Sequence, residues 1–542
     1  MNLKIETETD VKVPGTIHLI DVEGNLDVAH EAGDDIVLVP QPTLNPEDPL
    51  NWSKSRKYRV AICLLLAVFA ADILTTALSA VLLVIEDDTG IPLGVLNSGV
   101  GVQYLFFGWS NLLWQPLGLT YGRRPVLLFS LLACMLCSVW TSYVKSSGEW
   151  YVNRFLCGFF YGPIETLIEV CIADIFFLHE RGAWIAWYCF MLFSIPFASG
   201  IAAGFISDRY GWQWIQFIAA IITAVILVIL FFFLEETMFY RDNILEQDPI
   251  EQVKSSDRII DSKKNDTKVN VEKIQTPESP INNPNGKSFI ERLKFWGARD
   301  PRQKNVFFQS IWIPFYLLRY PGIIFAGFTV GAVLSWFNVL NATISSVLSG
   351  SPYNFSPNMI GVFFASPFIG IAIGSWFSGS IVDKFTILKA RNGKGMREPE
   401  TRLFLSILPM LIHPFGCFLY GIGAEKGIHW VGLAFGAGMI CSTFPIGSAI
   451  AINYIIDCYK EVSGDGLVTM ILVRNSMGFG FSYAVTPWLV AVGIQNLYVA
   501  IGLIGMAIWA TSFLMIIFGK RFRKASAISY WNLIDKFGLK AH

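Results

Sequence analysis

The chain has 542 residues, of which 53% are hydrophobic and 15% charged, with a mean hydropathy of +0.49 and a formal net charge of −1. Soluble domains carry roughly a quarter charged residues, so the composition excludes a water-solvated globular enzyme. The balanced charge speaks against a nucleic-acid partner.

In chain order, residues 1–57 read as a polar, acidic tail without a signal-peptide pattern, so the first span is expected to serve as the targeting signal. Apolar segments follow near 58–85, 93–117, 126–144, 150–178, 183–206 and 213–234. A stretch at 241–305 is rich in Lys, Asp, Asn, Pro and Ser and reads as disordered. Six more apolar segments lie near 311–345, 357–381, 401–421, 428–456, 465–492 and 496–518. Each is long enough for a membrane helix, which needs ~20 residues. The expected organisation is a six-helix bundle over 58–234, a linker over 235–310, a second bundle over 311–518 and a tail over 519–542. The fold class is an all-α membrane protein of twelve transmembrane helices in two bundles.

Charge bias supports this count. With the N-terminus inside, the inner segments hold Lys54, Arg56, Lys57, Arg59, Arg123, Arg124, Arg181, Lys384, Lys389, Arg391, Lys394, Arg397, Arg402 and Lys460. The tail adds Lys520, Arg521, Arg523 and Lys524, whereas the outer loops hold only Lys145, Arg209 and Lys426. This is the positive-inside pattern, with both termini expected in the cytoplasm. Sequons begin at Asn341 and Asn354, close to the membrane surface. Nearly all nine cysteines lie inside apolar runs, which predicts packing residues rather than disulfides or a zinc site. Neither a metal pattern among the six histidines nor a G-x-x-x-x-G-K-[ST] run is present, so no cofactor is expected.

The two halves repeat a signature after the second span of each. The second half reads Gly379-Ser-Ile-Val-Asp383-Lys384, and the first ends Tyr121-Gly122-Arg123-Arg124-Pro125 with Leu119 in the acidic position. These runs resemble the G-x-L-x-D-R signature of the major facilitator superfamily. Asn45 to Trp52 resembles the pre-membrane segment of its fungal members, and Arg154, Gly158, Gly162 and Pro163 resemble the fourth-span signature of proton-coupled antiporters. Pro196, Gly200 and Gly204 sit where that group has its fifth-span motif, with Ile195 replacing the usual Gly. Asn392 to Leu403, Tyr454 to Tyr459 and Arg474-Asn475 are similar to the fungal drug:proton antiporter branch, most of all to the subgroup of the yeast histidinol and polyamine permease. The resemblance implies two bundles around a central cavity, alternating access and proton coupling. It also implies that Arg123, Arg124, Asp383, Asp457 and Arg474 gate, with Asp383 as the surviving acidic latch.

Charges within a bilayer cost about 2.5–3.5 kcal/mol each on insertion scales, so those retained need a reason. Asp72 lies midway along the first span, and Glu165 and Glu169 lie one helical turn apart on the fourth. The intramembrane cations are mainly Arg154 and Arg474. An excess of carboxylates suits a cavity for a cation and a proton. Asp72, Glu165, Glu169, Gln103, Trp336, Asn338, Asn341 and Tyr454 are the candidate substrate residues, and Glu165, Glu169 and Arg154 the candidate proton-coupling ones. The alternative is that Glu165 or Glu169 bridges to Arg154 or Arg474 for structure alone. Asp174 reads as a helix-end residue, Asp457 as a gate or a cap, and His413 as a partner for a carbonyl freed by Pro414 or a proton relay.

The expected function is proton-coupled transport of a small organic cation, as uptake of polyamine or histidinol-like amines across a fungal plasma membrane. The expected partners are the amine, protons and the lipid bilayer, with the chain acting as a monomer. Export of drugs or weak acids by proton antiport is the competing reading, and a membrane sensor that moves nothing ranks below both. No Ser, His and Asp set at one face suggests an enzyme.

Overall fold

The computed structural model describes residues 47–239, 307–381 and 396–537, with short stretches near 14–18, 43–45 and 385–389. The first half contains α1 (Lys54–Thr76), α2 (Leu82–Thr89), α3 (Leu93–Trp109), α4 (Asn111–Tyr121), α5 (Arg123–Thr141), α6 (Ser147–Ile175), α7 (Leu178–Tyr210) and α8 (Gln213–Phe233). The second contains α9 (Phe307–Leu317), α10 (Pro321–Ser349), α11 (Pro357–Phe363), α12 (Ala365–Trp376), α13 (Ile407–Glu425), α14 (Trp430–Cys458) and α15 (Ser463–Phe537). Helix is the form such apolar segments must take, because hydrocarbon offers no partner for a bare amide or carbonyl.

Among the described residues, ten helical stretches are long and apolar enough to cross a bilayer. The last of them holds two crossings divided at Gly493, whose φ of 76° and ψ of 167° break the helix. α3 and α4 add one more across their break at Ser110, which makes twelve. The seventh crossing begins later than the apolar pattern suggests. Pro321 opens α10, and Tyr320 before it is extended (φ −87°, ψ 117°) because the proline ring crowds a helical backbone there. α9 is therefore a separate helix. Lipid-facing surface is apolar: Ile221, Val225 and Val228 form an exposed stripe along α8.

In the first half α1 packs on α5, α7 and α8, and α6 packs on α3 and α5. In the second, α10 and α13 pack on α14 and α15, and α12 packs on α14. The halves meet along two seams. α3 and α6 face α15, and α7 faces α11, α12 and α14. Spans two and eleven thus form one seam and spans five and eight the other, which are equivalent positions in the two repeats.

Gly158 and Gly162 explain part of the fourth-span signature. A β-carbon on Gly158 would lie 2.5 Å from the Gln103 carbonyl oxygen, and one on Gly162 would overlap the Ser110 hydroxyl. α6 therefore meets α3 backbone to backbone.

At the end of the bundle that carries the arginines, called the basic end below, a short strand β1 (Ile17–His18) pairs antiparallel with β2 (Met396–Arg397). The Pro14 carbonyl accepts a hydrogen bond from Arg523. Gly15, at φ +84°, lies so close to the Asp457 and Cys458 backbone that a β-carbon would clash.

Gly158→Val is expected to force α3 off α6 and to destabilise the bundle by about 1–3 kcal/mol, the usual cost of overpacking. A lowered Tm of the purified protein in detergent would show it, and an unchanged Tm would mean that the contact is slack.

Candidate functional site

α6 orders the polar groups by depth. Trp150, Arg154, Tyr161, Glu165, Glu169 and Asp174 follow one another along it. At ~1.5 Å per residue the run from Trp150 to Asp174 covers about 36 Å, a bilayer core from side to side.

Toward the Trp150 end lies a cavity of ≈ 70 Å³ between the halves. Thr75, Thr76, Asn97, Gln103, Tyr104 and Trp150 line it from the first half, and Asn338, Asn341 and Ser482 from the second. Arg154 is buried behind this wall. It donates to Gln103 Oε1 at 3.0 Å, Thr141 at 2.8 Å and Asn153 at 2.8 Å, and lies 4.5 Å from the Trp150 ring. Gln103 Nε2 in turn donates to the Thr75 carbonyl at 3.3 Å. Arg154 therefore fixes the cavity wall and pairs with none of the three acidic residues. The Asn341 amide nitrogen donates to Phe337 O at 3.0 Å, and that of Asn338 reaches Gly478 O and Ser482 at 3.5 Å. Both amide oxygens are left to accept from a guest.

One turn below the cavity is an acidic layer. Asp72 is 2% exposed, and its Oδ1 accepts from the Tyr161 hydroxyl at 2.6 Å while its Oδ2 has no partner. Tyr161 is itself held by stacking on Phe107, with centroids 4.0 Å apart. Glu165 forms a buried ion pair with Arg474 of α15, which joins the two halves at mid-depth. Glu169 is fully buried, and neither of its oxygens makes a hydrogen bond of good geometry. Among the described residues Asp72 and Glu169 have no ion pair.

At the basic end the halves are latched again. Arg181 of α7 pairs with Asp457 of α14 at 2.6 Å, and Arg402 pairs with the other Asp457 oxygen at 3.2 Å. Arg123 and Arg124 bond within their own half instead. Arg123 pairs with Asp174, the Arg123 and Arg124 amides donate to Glu236 at 3.1 Å each, and Arg124 donates to Phe231 O at 2.6 Å. They staple α5 to α6 and to the segment after α8, and Asp174 is more than a helix-end residue. The expected latch Asp383 lies outside the described residues.

The other expected residues divide by position. Gln103, Asn338 and Asn341 line the cavity, and Asp72, Glu165 and Glu169 lie beneath it. Arg474, expected at a gate, sits in the acidic layer at mid-depth. Trp336 lies within the second half, its ring 5.3 Å from Phe481 and 6.2 Å from His413, because two residues from Asn338 is the far side of a helix. Tyr454 is buried near the basic end among Phe325 and Glu400, one turn from Asp457, and not at the cavity. His413 bonds the Ile501 backbone and touches Cys417 at 3.6 Å, within one half. Tyr161, Asn97 and Ser482 escape sequence reasoning. The signal for Tyr161 is its spacing of four from Glu165, which puts it on the acidic face of α6. Asn97 likewise stands three and six residues before the lining Val100 and Gln103.

Two six-helix repeats with a polar, charged seam between them define a membrane carrier. The sequence model of the Major Facilitator Superfamily matches residues 64–460, and the chain belongs to that superfamily. It is 31% identical over 534 residues to an MFS-type transporter of Schizosaccharomyces pombe, with 92% of this chain and 90% of the relative covered. It is 25% identical to Protein HOL1 of Saccharomyces cerevisiae, with 90% of each chain covered. The proton:xylose symporter XylE, solved with 6-bromo-6-deoxy-D-glucose, has the same fold, with a TM-score of 0.56 over 86% of this chain and 97% of that one at 12% identity.

Asp457→Asn takes charge from a carboxylate that two buried guanidiniums share, and breaking a buried pair costs about 3–5 kcal/mol. The basic end is expected to open more often. All nine cysteines are buried and Cys458 adjoins the latch, so maleimide labelling of Cys458 in permeabilised cells should rise several-fold over the wild type. Unchanged labelling would remove Asp457 from the latch.

Proposed function

We propose that this chain carries small organic cations, polyamines or histidinol-like amines, inward across a fungal plasma membrane in company with protons, with both termini in the cytoplasm. The observation that carries the proposal is Asp72, a buried carboxylate beneath an amide-lined cavity with one oxygen held by Tyr161 and the other without a partner. An ammonium group is the guest that such an oxygen favours, since a buried charge is costly until a partner arrives. The Asn338 and Asn341 carbonyl oxygens can replace part of its water, and the Tyr104 and Trp150 rings border the same space for cation–π contact. The likeness of Arg474-Asn475 and of the Tyr454 to Tyr459 run to the permease subgroup supports the same substrate class.

Carriage follows from rocking of the halves about the seam. The Arg181–Asp457–Arg402 cluster holds the basic end shut while the cavity, nearer the other end, takes its guest. Reaching the interior then requires that cluster to part. Protons are the natural driving ion, because the same layer holds a second buried carboxylate and the sequence has no nucleotide-binding run.

The test is uptake of labelled spermidine and histidinol by cells with and without the chain at two external pH values. Accumulation should be cation-selective and stronger with acid outside. Asp72→Asn should lower it by about ten-fold or more, the scale of one charge-assisted contact. Lowered drug retention without amine uptake would replace this reading with export.

A further inference from the structure

α12 and α14 touch backbone to backbone. A β-carbon on Gly370 would overlap the Gly438 carbonyl, and one on Gly374 the Ser442 carbonyl. Beside this contact, on the outer surface of the second half, runs an apolar trough of ≈ 650 Å³, well within the ~300–1,000 Å³ of small-molecule sites. Small residues line its floor, Ser366 and Gly370 from α12 and Ala434, Gly438 and Ser442 from α14. Its margins are large side chains, Met359, Val362, Ile369 and Ile373 on one side and Phe435 on the other, each more than half exposed.

What covers the trough comes from the bilayer, because its margins run on into exposed apolar side chains, Trp376 of α12 and Leu411 of α13, that face lipid. From Trp430, at the end opposite the basic end, to Ser442 it extends ~18 Å along α14 at ~1.5 Å per residue, about one leaflet of a ~30 Å core. The Ser366 hydroxyl donates to the Ala434 carbonyl and the Ser442 hydroxyl to the Met439 carbonyl, so the floor spends its hydroxyl protons internally and suits an apolar guest. Polar groups stand only at the rim, where the Trp430 indole is 42% exposed and the His429 ring lies 5.6 Å from it. The ≈ 650 Å³ spread over ~18 Å gives a mean cross-section of about 36 Å², broader than one extended acyl chain fills. A flat, rigid ring system fills that breadth and gives up little conformational freedom on binding.

We propose that this trough binds one sterol from the leaflet opposite the basic end, with its fused rings on the glycine-lined floor and its hydroxyl at the Trp430 rim. The site is separate from the amine cavity and independent of the substrate reading. It also touches the seam. Phe363 lines the trough, while the next residue, Phe364, sits at the break between α11 and α12 and packs on Gly200 and Phe197 of α7. A bound sterol therefore braces the second half where spans five and eight meet.

The test uses the full chain in phospholipid nanodiscs, with cholesterol carrying a ring diazirine as the probe and mass spectrometry to locate the cross-links. Labelling should saturate near one probe per chain, fall within residues 355–373 and 430–442, and yield to unlabelled cholesterol. Ala434→Trp fills the trough and should lower labelling there by about ten-fold. Ile221→Trp, on the exposed stripe of α8, should leave it unchanged. If Ala434→Trp does not fold, Phe435→Ala decides, since it removes one exposed margin and should still lower labelling several-fold. Labelling that never saturates or is spread around both bundles would overturn the proposal, as would full labelling of Phe435→Ala. A phosphatidylcholine with a diazirine on its acyl chain is the second probe. Equal labelling of the trough by it, with displacement of the sterol, would assign the trough to an acyl chain instead. Cross-links between two copies of the chain at α12 would make it a dimer face and overturn the sterol site equally.

Discussion

The Glu165–Arg474 ion pair is the contact on which the site depends, because it joins two bundles through a medium that does not tolerate single charges. Away from water, attraction between a carboxylate and a guanidinium is strong and so is the cost of parting them. The pair therefore sets how closely α6 and α15 approach at the centre of the protein. The cavity above and the latch below are built around that spacing. Gly158 and Gly162 bring α3 against α6 from one side, and Arg154 then fixes Gln103 so that the cavity keeps its outline when no guest is present.

The seam combines fixed and uncommitted polar groups. Arg123, Arg124, Asp174 and Glu236 bond to one another inside one half, and Arg523 and Glu400 pair inside the other at 2.7 Å. These bonds keep each bundle rigid. Among the described residues the ion pairs that cross between bundles, Glu165–Arg474 and Arg181–Asp457, are fewer than those within them. Rigid bodies joined by a few breakable ties are what rocking about a central site requires.

Much of this was legible in the sequence because hydrocarbon imposes strict rules. Apolar length and the placement of Lys and Arg gave twelve crossings, and mid-span acids stood out at Asp72, Glu165 and Glu169 because hydrophobic surroundings make them costly. Partner choice was not legible. Nothing in the sequence decides that Arg474 takes Glu165 while Arg154, on the same helix as both glutamates, takes amides and a hydroxyl. That depends on which helix faces which, a long-range property. Trp336 and Tyr454 show the same limit: mid-span aromatics of similar appearance can face a cavity, a neighbouring helix or the basic end, and a turn of 100° per residue decides. The start of the seventh crossing was hidden in an apolar run that Pro321 interrupts.

The pairing of β1 with β2 has a consequence for how the molecule moves. The strand at Ile17–His18 rests on the second bundle, whereas α1, which begins at Lys54, belongs to the first. Thr43, Asn45 and residues 47–52 are folded against the first bundle, and the 24 residues 19–42 can span at most roughly 80 Å, at ~3.4 Å per residue, far beyond any displacement within a membrane domain. The leash is slack. The strand can travel as a passenger of the bundle it rests on without pulling against the one its own chain enters.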